Sequence, residues 1–303
     1  MTIPVFDSND AIAGSLINPE VVLEINALVH DLSVVDYFGK HFAMKTRRKR
    51  IPRQTVGTEP HHVPEGSPKE VEKPELDYVE LVAENMAKIL CFTEDEIDDA
   101  DLDTIAFAKD DLIQAFAEVF DGFALGYDPL SPFVDSWSGN VPLANIVPVG
   151  TTGTDLVGDL SEAVNRIEIN GYECTGMAAH PRVKHILRNL RSPLTGHPIF
   201  FENLRDGFRE YFVLGIPIKF TRQVIAAGSP PATEILLAYT PYLYVGDRKE
   251  ITVKMLTEAT LYDQQGEPYP LAQMDSIALR FVNRKAFCVK RDEVLSKVTG
   301  VLM

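Results

Sequence analysis

Three carboxylates, Asp99, Asp101 and Asp103, have the D-x-D-x-D spacing with which a calcium loop presents alternate oxygens to one ion. Such a loop needs glycine at its sixth position and glutamate at its twelfth, and here those positions hold Thr104 and Asp110. The same acids precede an amphipathic run, where carboxylates favour the positive end of a helix dipole, so they read as a helix N-terminus. His180 and His185 are five apart, not the four of a zinc-binding helix, and no glutamate lies between them. His61 and His62 are adjacent in a polar stretch, where neighbouring side chains diverge. Gly150 to Thr154 (GTTGT) precedes a helical pattern but lacks the Gly-Lys-Ser/Thr ending of a phosphate loop, and Thr154 is better read as an N-cap. There is no Gly-x-Ser-x-Gly elbow and no suggestive Cys/His pair. The residues therefore offer no catalytic site, metal site or cofactor site. In a chain of 303 residues, that points to a structural role.

Charge is the chemistry that remains. With 44 acidic and 29 basic residues the chain carries a net charge of −15, which repels phosphate backbones and argues against extensive nucleic-acid binding. Against this balance, Lys45, Arg47, Arg48, Lys49, Arg50 and Arg53 fall within nine positions. Three readings stay open for them: a solvated face, a nucleic-acid patch, or contact with an acidic protein surface. The third has a counterpart in the same chain. Eleven acids and one lysine lie between Glu94 and Asp121, with Glu94, Asp95, Asp98, Asp99, Asp110 and Asp111 as the expected partners of the six cations. A long basic arm matched to an acidic rail is most useful when it reaches a neighbouring copy.

These charges need elements to carry them. Residues 93–126 read as a helical turn followed by an amphipathic helix. Thr93 and Glu96 would form a capping box, Leu102, Ile105, Leu112, Ile113, Phe116, Val119, Phe120 and Phe123 a 3.6-residue stripe, and Gly126 the stop. Residues 44–77, with five prolines, read as a projecting loop or hairpin, and 78–92 as one strand leading to the helix. Residues 1–43 form an acidic arm with a short helix after Asn18-Pro19. From 151 the texture is mixed: a helix over 155–169 ended by Asn170-Gly171, a buried strand in 172–180, a helix opened by Pro181, then successive β segments. Cys91, Cys174 and Cys288 read as buried thiols, consistent with a reducing compartment. No apolar run approaches 18 residues and the N-terminus has no secretory pattern, so a cytoplasmically made, soluble protein is expected.

In this order the parts resemble the major capsid proteins of tailed bacteriophages, which have the Hong Kong 97 fold. The likeness is carried by AGSLINPEVVLEINALVHDLSVVDYF (13–38), by VPEGSPKEVEKPELDYVELVAENMAKILCFTEDEIDDA (63–100) and by LIQAFAEVFDGFALGYD (112–128). Three further stretches are INGYECTGMAAHPRVKHILRNLRSPLTGHPIF (169–200), REYFVLGIPIKFTRQV (209–224) and LRFVNRKAFCVKRDEV (279–294). The resemblance implies an α+β fold with an N-terminal arm (1–43) and an extended E-loop (44–80). A peripheral domain with a spine helix would take 81–144 and the closing strands 262–303, and an axial domain 145–261. It also implies a homo-oligomer of pentamers and hexamers in an icosahedral shell around packaged DNA, located in the virion after assembly in the host cytoplasm. A separate scaffolding protein, a portal and a decoration protein are the implied partners; no cofactor and no membrane are. Some relatives cross-link a loop lysine to a neighbour's asparagine with the help of a buried glutamate. Lys73 sits where that lysine would be, but Ala278 takes the glutamate's place, so cross-linking is not expected. An encapsulin-type compartment is the alternative within the fold, and a soluble α/β enzyme the alternative outside it.

Overall fold

The computed structural model describes residues 32–54, 62–66, 75–93, 104–151, 156–191, 196–205, 208–224, 226–227, 232–262 and 266–302. Four α-helices are present among them: α1 (Val34–Phe38), α2 (Thr104–Leu125), α3 (Leu156–Ile169) and α4 (Val183–Asn189). The smaller of the two main sheets runs β1 (Lys40–Ala43), β12 (Leu243–Leu256), β15 (Ser276–Val289), β4 (Glu84–Thr93); only its β1–β12 pair is parallel. The larger runs β5 (Ile146–Pro148), β16 (Leu295–Leu302), β11 (Ala232–Ala238), β6 (Gly176–Ala179), β9 (Ile216–Phe220), β8 (Phe208–Val213), β7 (Phe200–Arg205), with β10 (Ala226–Ala227) beside β11. Two hairpins stand apart, β2 (Arg48–Gln54) with β3 (Leu76–Val82), and β13 (Thr260–Tyr262) with β14 (Pro268–Pro270).

The apolar stripe of α2 packs as its spacing predicts over Leu112, Ile113, Phe116 and Phe120, whereas Val119, expected in the stripe, is exposed. Leu112, Ile113, Phe116, Ala117, Phe120, Ala124 and Leu125 are buried against Met86, Leu279, Phe281 and Phe287 of the smaller sheet. The same core takes in α1 and one face of the larger sheet through Ala178, Leu236 and Leu295. Trp137 closes the join: it is fully buried, meets Phe38 edge to face at 6.2 Å, and donates from Nε1 to the Leu237 carbonyl at 3.4 Å. On the opposite face of the larger sheet, Leu160, Ala163 and Ile167 of α3 and Val183 and Leu187 of α4 form a second core. A third, small core seats the base of the β2–β3 hairpin, through Val79, Leu81 and Met44, on Tyr244, Ala286 and Cys288.

α2 ends at Gly126, whose φ of +85° lies in the left-handed region. An added Cβ there would come within 2.6 Å of the Ser136 Cβ. Gly126→Ala should therefore destabilise the fold by about 2–4 kcal/mol through strain and overpacking, seen as a lower urea midpoint at unchanged m-value.

Several sequence expectations are corrected. Thr93 is the last residue of β4, paired with Ser276, because the β-prone run Ile89-Leu90-Cys91-Phe92 carries the strand that far, and the helical turn expected after it falls on residues not described. Residues 94–103, including Glu96 and Asp99, lie outside the described residues, as do Thr154, His61 and the helix expected after Pro19. Residues 78–92 form parts of two strands. At Ala83 the chain leaves its hairpin partner and joins β15, with the Ala83 N–H donating to the Arg47 carbonyl at 2.8 Å. Residues 276–289 form one strand, with register shifts in its pairing to β12 at 247–252. The sheets also exchange strands across the expected boundary at 261. β12 belongs to the smaller sheet and β16 to the larger, because both must line the core shared between the sheets.

Candidate assembly surfaces

The β2–β3 hairpin sets each cation by register. Arg50 is opposite Glu80 and Arg53 opposite Asp77, so opposite charges meet across the strands. The Arg50–Glu80 ion pair is 3.6 Å, Arg47 meets Glu84 at 2.7 Å, and Arg53 contacts one Asp77 oxygen from Nη2 at 2.6 Å and Nε at 2.9 Å. The Tyr78 N–H and Arg53 together hold the Asp77 carboxyl below its ordinary range. Lys49 donates to the Ala43 carbonyl at 3.1 Å and lies 5.0 Å from the centre of the Phe42 ring. Lys45 and Arg48 are exposed and make no ion pair among the described residues. Half of the predicted basic cluster is thus neutralised by carboxylates on β3 and at the start of β4. Leu76 and Tyr78 leave the hairpin with exposed apolar surface, being 58% and 59% accessible.

Of the predicted acidic partners, Glu94, Asp95, Asp98 and Asp99 lie outside the described residues. Asp110 is on α2, and Asp111 is exposed on it. Among the described residues no ion pair joins the basic cluster to these acids within one chain.

Asp121 is the acid that sequence reasoning misplaced. It belongs to the buried side of α2, one position after Phe120 and four after Ala117, and is 2% exposed. Its carboxylate accepts from Ser33 Oγ at 2.7 Å, from the Val34 N–H at 3.0 Å and from the Val35 N–H at 3.1 Å, which ties the arm to the spine helix. Burial pushes its carboxyl up to about 6, against the pull of these donors, with nearby Asp36 adding to the rise. Asp36, fully buried, pairs with Lys285 on β15. His41 bridges from Nδ1 to Asp247 at 2.6 Å and from Nε2 to the Asp36 carbonyl at 2.9 Å, and the Asp247 bond raises its pKa. Two signals for this junction were present: an acid inside the apolar stripe, and a Ser33-Val-Val-Asp36 segment whose serine caps Asp36.

A second partly buried network holds the C-terminal strand. Glu234 on β11 accepts from Tyr127 at 2.7 Å and Ser138 at 3.1 Å and pairs with Lys297 on β16 at 3.3 Å. Burial, then the Glu234 charge, raises the Tyr127 phenol.

Chemistry stays sparse. No cluster of three or more His, Cys, Asp or Glu is placed to hold a metal among the described residues. The Nδ1 of His180 accepts from the Arg182 N–H at 3.2 Å, as befits a helix-entry residue. Ala278 is fully buried between Cys91 and Leu256, and Lys73 lies outside the described residues. Two of the three cysteines are buried as expected, with burial pushing Cys174 up to about 12 and Cys288 higher still. Cys91 is exposed instead, because β4 is an edge strand and Cys91 points away from α2. A maleimide should label the unassembled native chain once, at Cys91, and fully only after denaturation.

A family model described as the phage capsid family matches residues 13–300. The chain belongs to that family. It is a capsid shell protein with the Hong Kong 97 fold, a component of a virion, and its family points to a structural rather than an enzymatic role. Among solved structures, a chain of Microbacterium phage Oxtober96 is similar over 89% of this chain and 90% of its own, at 23% identity and a TM-score of 0.69. One of Gordonia phage Cozz shares 17% identity over 88% of this chain and 86% of its own, with a TM-score of 0.68. The holo-SrpI encapsulin complex from Synechococcus elongatus is similar over 98% of this chain and 97% of its own, at 13% identity and a TM-score of 0.59. At these identities the likeness speaks to the fold. No relative was found among curated proteins. No described helix is long and apolar enough to cross a membrane.

Proposed function

We propose that this chain is the major head-shell subunit of a tailed phage, self-assembling as pentamers and hexamers in an icosahedral lattice around double-stranded DNA. The observation that carries the reading is the extent of the family match, which runs through the arm, the hairpin, both sheets and the spine helix. Among the described residues the hairpin is seated only at its base by a small core, so the rest of it needs a surface elsewhere. In this reading 1–43 is the arm and 44–80 the E-loop. Residues 81–144 with 262–303 form the peripheral domain and 145–261 the axial domain, with β12 and β16 exchanged between their sheets. The axial loops meet at fivefold and sixfold centres, and the β13–β14 hairpin at threefold positions. A separate scaffolding protein, a portal and a decoration protein are the proposed partners, with assembly in the host cytoplasm.

The basic hairpin is proposed to lie along the acidic start of a neighbour's spine helix, Lys45 and Arg48 supplying the charge left unpaired within the chain. Electron microscopy of the protein expressed alone and with its scaffolding protein tests the shell reading. Closed icosahedral shells are expected, and soluble monomers under both conditions would overturn it. The encapsulin likeness supports a second, weaker reading, a shell around a protein cargo. Particles from the native source that contain DNA and no cargo enzyme decide against it.

With Ala278 where a catalytic glutamate would be needed, the shell is proposed to hold by non-covalent contacts. On a denaturing gel, mature particles should run as a single 33.7 kDa band. A ladder of multiples would overturn this.

A further inference from the structure

The two faces of the smaller sheet differ in chemistry. One, with Met86, Leu279 and Phe281, packs against α2. On the other, cross-strand partners form rows: Lys249, Arg284 and Asn85; then Thr252, Val282 and Ala87; then Lys254, Arg280 and Ile89. Directly paired residues project from the same side of a sheet. Lys249 is therefore opposite Arg284, and Lys254 opposite Arg280, two like-charge pairs where cross-strand repulsion destabilises a sheet. Lys249, Lys254 and Arg280 are exposed. Arg284 donates to a neutral partner, Asn85 Oδ1, at 2.5 Å. None of the four has a carboxylate partner among the described residues, and Glu250, in the irregular stretch of β12, is the acid next to them in the chain. Three of the six hairpin arginines and lysines, by contrast, are already paired. A chain of net charge −15 thus holds, on one sheet face, four cations without a carboxylate partner among the described residues.

We infer that this face seats residues 94–103 of a second copy. That run holds seven carboxylates in ten positions, Glu94, Asp95, Glu96, Asp98, Asp99, Asp101 and Asp103. In its own chain the run links Thr93, at the end of the edge strand, to Thr104 at the start of α2, which packs on the opposite face, and the copy proposed to supply it is a neighbour. Exposed Ile89 beside Arg280 offers apolar contact to Ile97 or Leu102, which phosphate would not use. Cationic face and acidic run are different parts of one chain, so the contact is head-to-tail and propagates around a ring. This rests on the shell reading and deepens it: the sheet face joins the hairpin as a receiver of the neighbour's acids.

The test is a charge swap in the full-length chain. Lys254→Glu with Arg280→Glu, and separately Asp101→Lys with Asp103→Lys, which are not among the acids assigned to the hairpin, should each lower the assembled fraction at fixed concentration by about tenfold, read by sedimentation and electron microscopy. The chain carrying all four changes should recover to within about threefold of wild type. Circular dichroism melts of each variant establish that it folds. Folded variants that assemble like wild type, or a folded four-change chain that stays unassembled, overturn the inference. So do shells that form normally but contain less nucleic acid, since the face would then bind DNA. Wild-type protein that forms no shells under any condition would defeat the shell reading itself, a distinguishable failure.

Discussion

Asp121→Ala is expected to destabilise the subunit by about 3–5 kcal/mol, the range of buried-network losses, because three donors lose their acceptor at once. The loss falls on the junction of arm and spine helix, so the arm should become protease-sensitive before the rest of the chain unfolds. pH gives an independent reading. The folded carboxyl titrates at about 6, above the ordinary 3.8, so the folded chain binds this proton more tightly than the unfolded chain does. The stabilisation from that proton is complete below pH 4 and is lost as pH rises through 6. Asp121→Asn lacks the group. The stability of wild type relative to this variant should therefore grow by about 2–3 kcal/mol between pH 7.5 and pH 4, measured by urea unfolding at each pH. A difference that shrinks on acidification would show that the Ser33, Val34 and Val35 donors outweigh burial.

Reversing Arg47, Arg48 and Arg50 to glutamate should give soluble capsomers and few closed shells, a loss of more than about tenfold in particle yield. The geometry separates two causes. Arg47 and Arg50 neutralise Glu84 and Glu80, so their reversal sets glutamate against glutamate inside the hairpin. Lys45 and Arg48 make no such pair, and Lys45→Glu with Arg48→Glu changes the outward charge alone. If the hairpin reaches an acidic neighbour, both variants fail, and both improve in high salt as the repulsion is screened. If only the triple variant fails, the arginines serve the hairpin's own order. Normal shells from both would overturn the contact.

The parts legible in the sequence were those fixed by local pattern. α3 followed from Leu160, Ile167 and the Asn170-Gly171 stop, and Gly171 does adopt a positive φ of 82°. The burial of β6 followed from a run of small and apolar residues. What depended on distant pairing was not legible. Nothing in residues 243–256 says that they leave β11's sheet for β15's, since both environments bury a β-prone run. The hairpin ion pairs depend on a register across at least 24 residues, and alternation alone does not set the pairing of Arg53 with Asp77. Asp121 was counted among the acids of an exposed face, though its place beside Phe120 gave the opposite signal. The cationic sheet face was invisible for the same reason: Lys254 and Arg280 are 26 positions apart and meet only in the folded sheet.

Strand order also sets a timetable for synthesis. Residues 295–302 take an interior place in the larger sheet, between 146–148 and 232–238, and residues 40–43 pair with 244–247. A nascent chain can close neither sheet until these late partners have left the ribosome. Pairings this distant in sequence are also slow to form. Competent subunits are thus released well after translation of the acidic and basic surfaces proposed to join them. A slow supply keeps their free concentration low, a regime in which growth of existing particles outruns the nucleation of new ones.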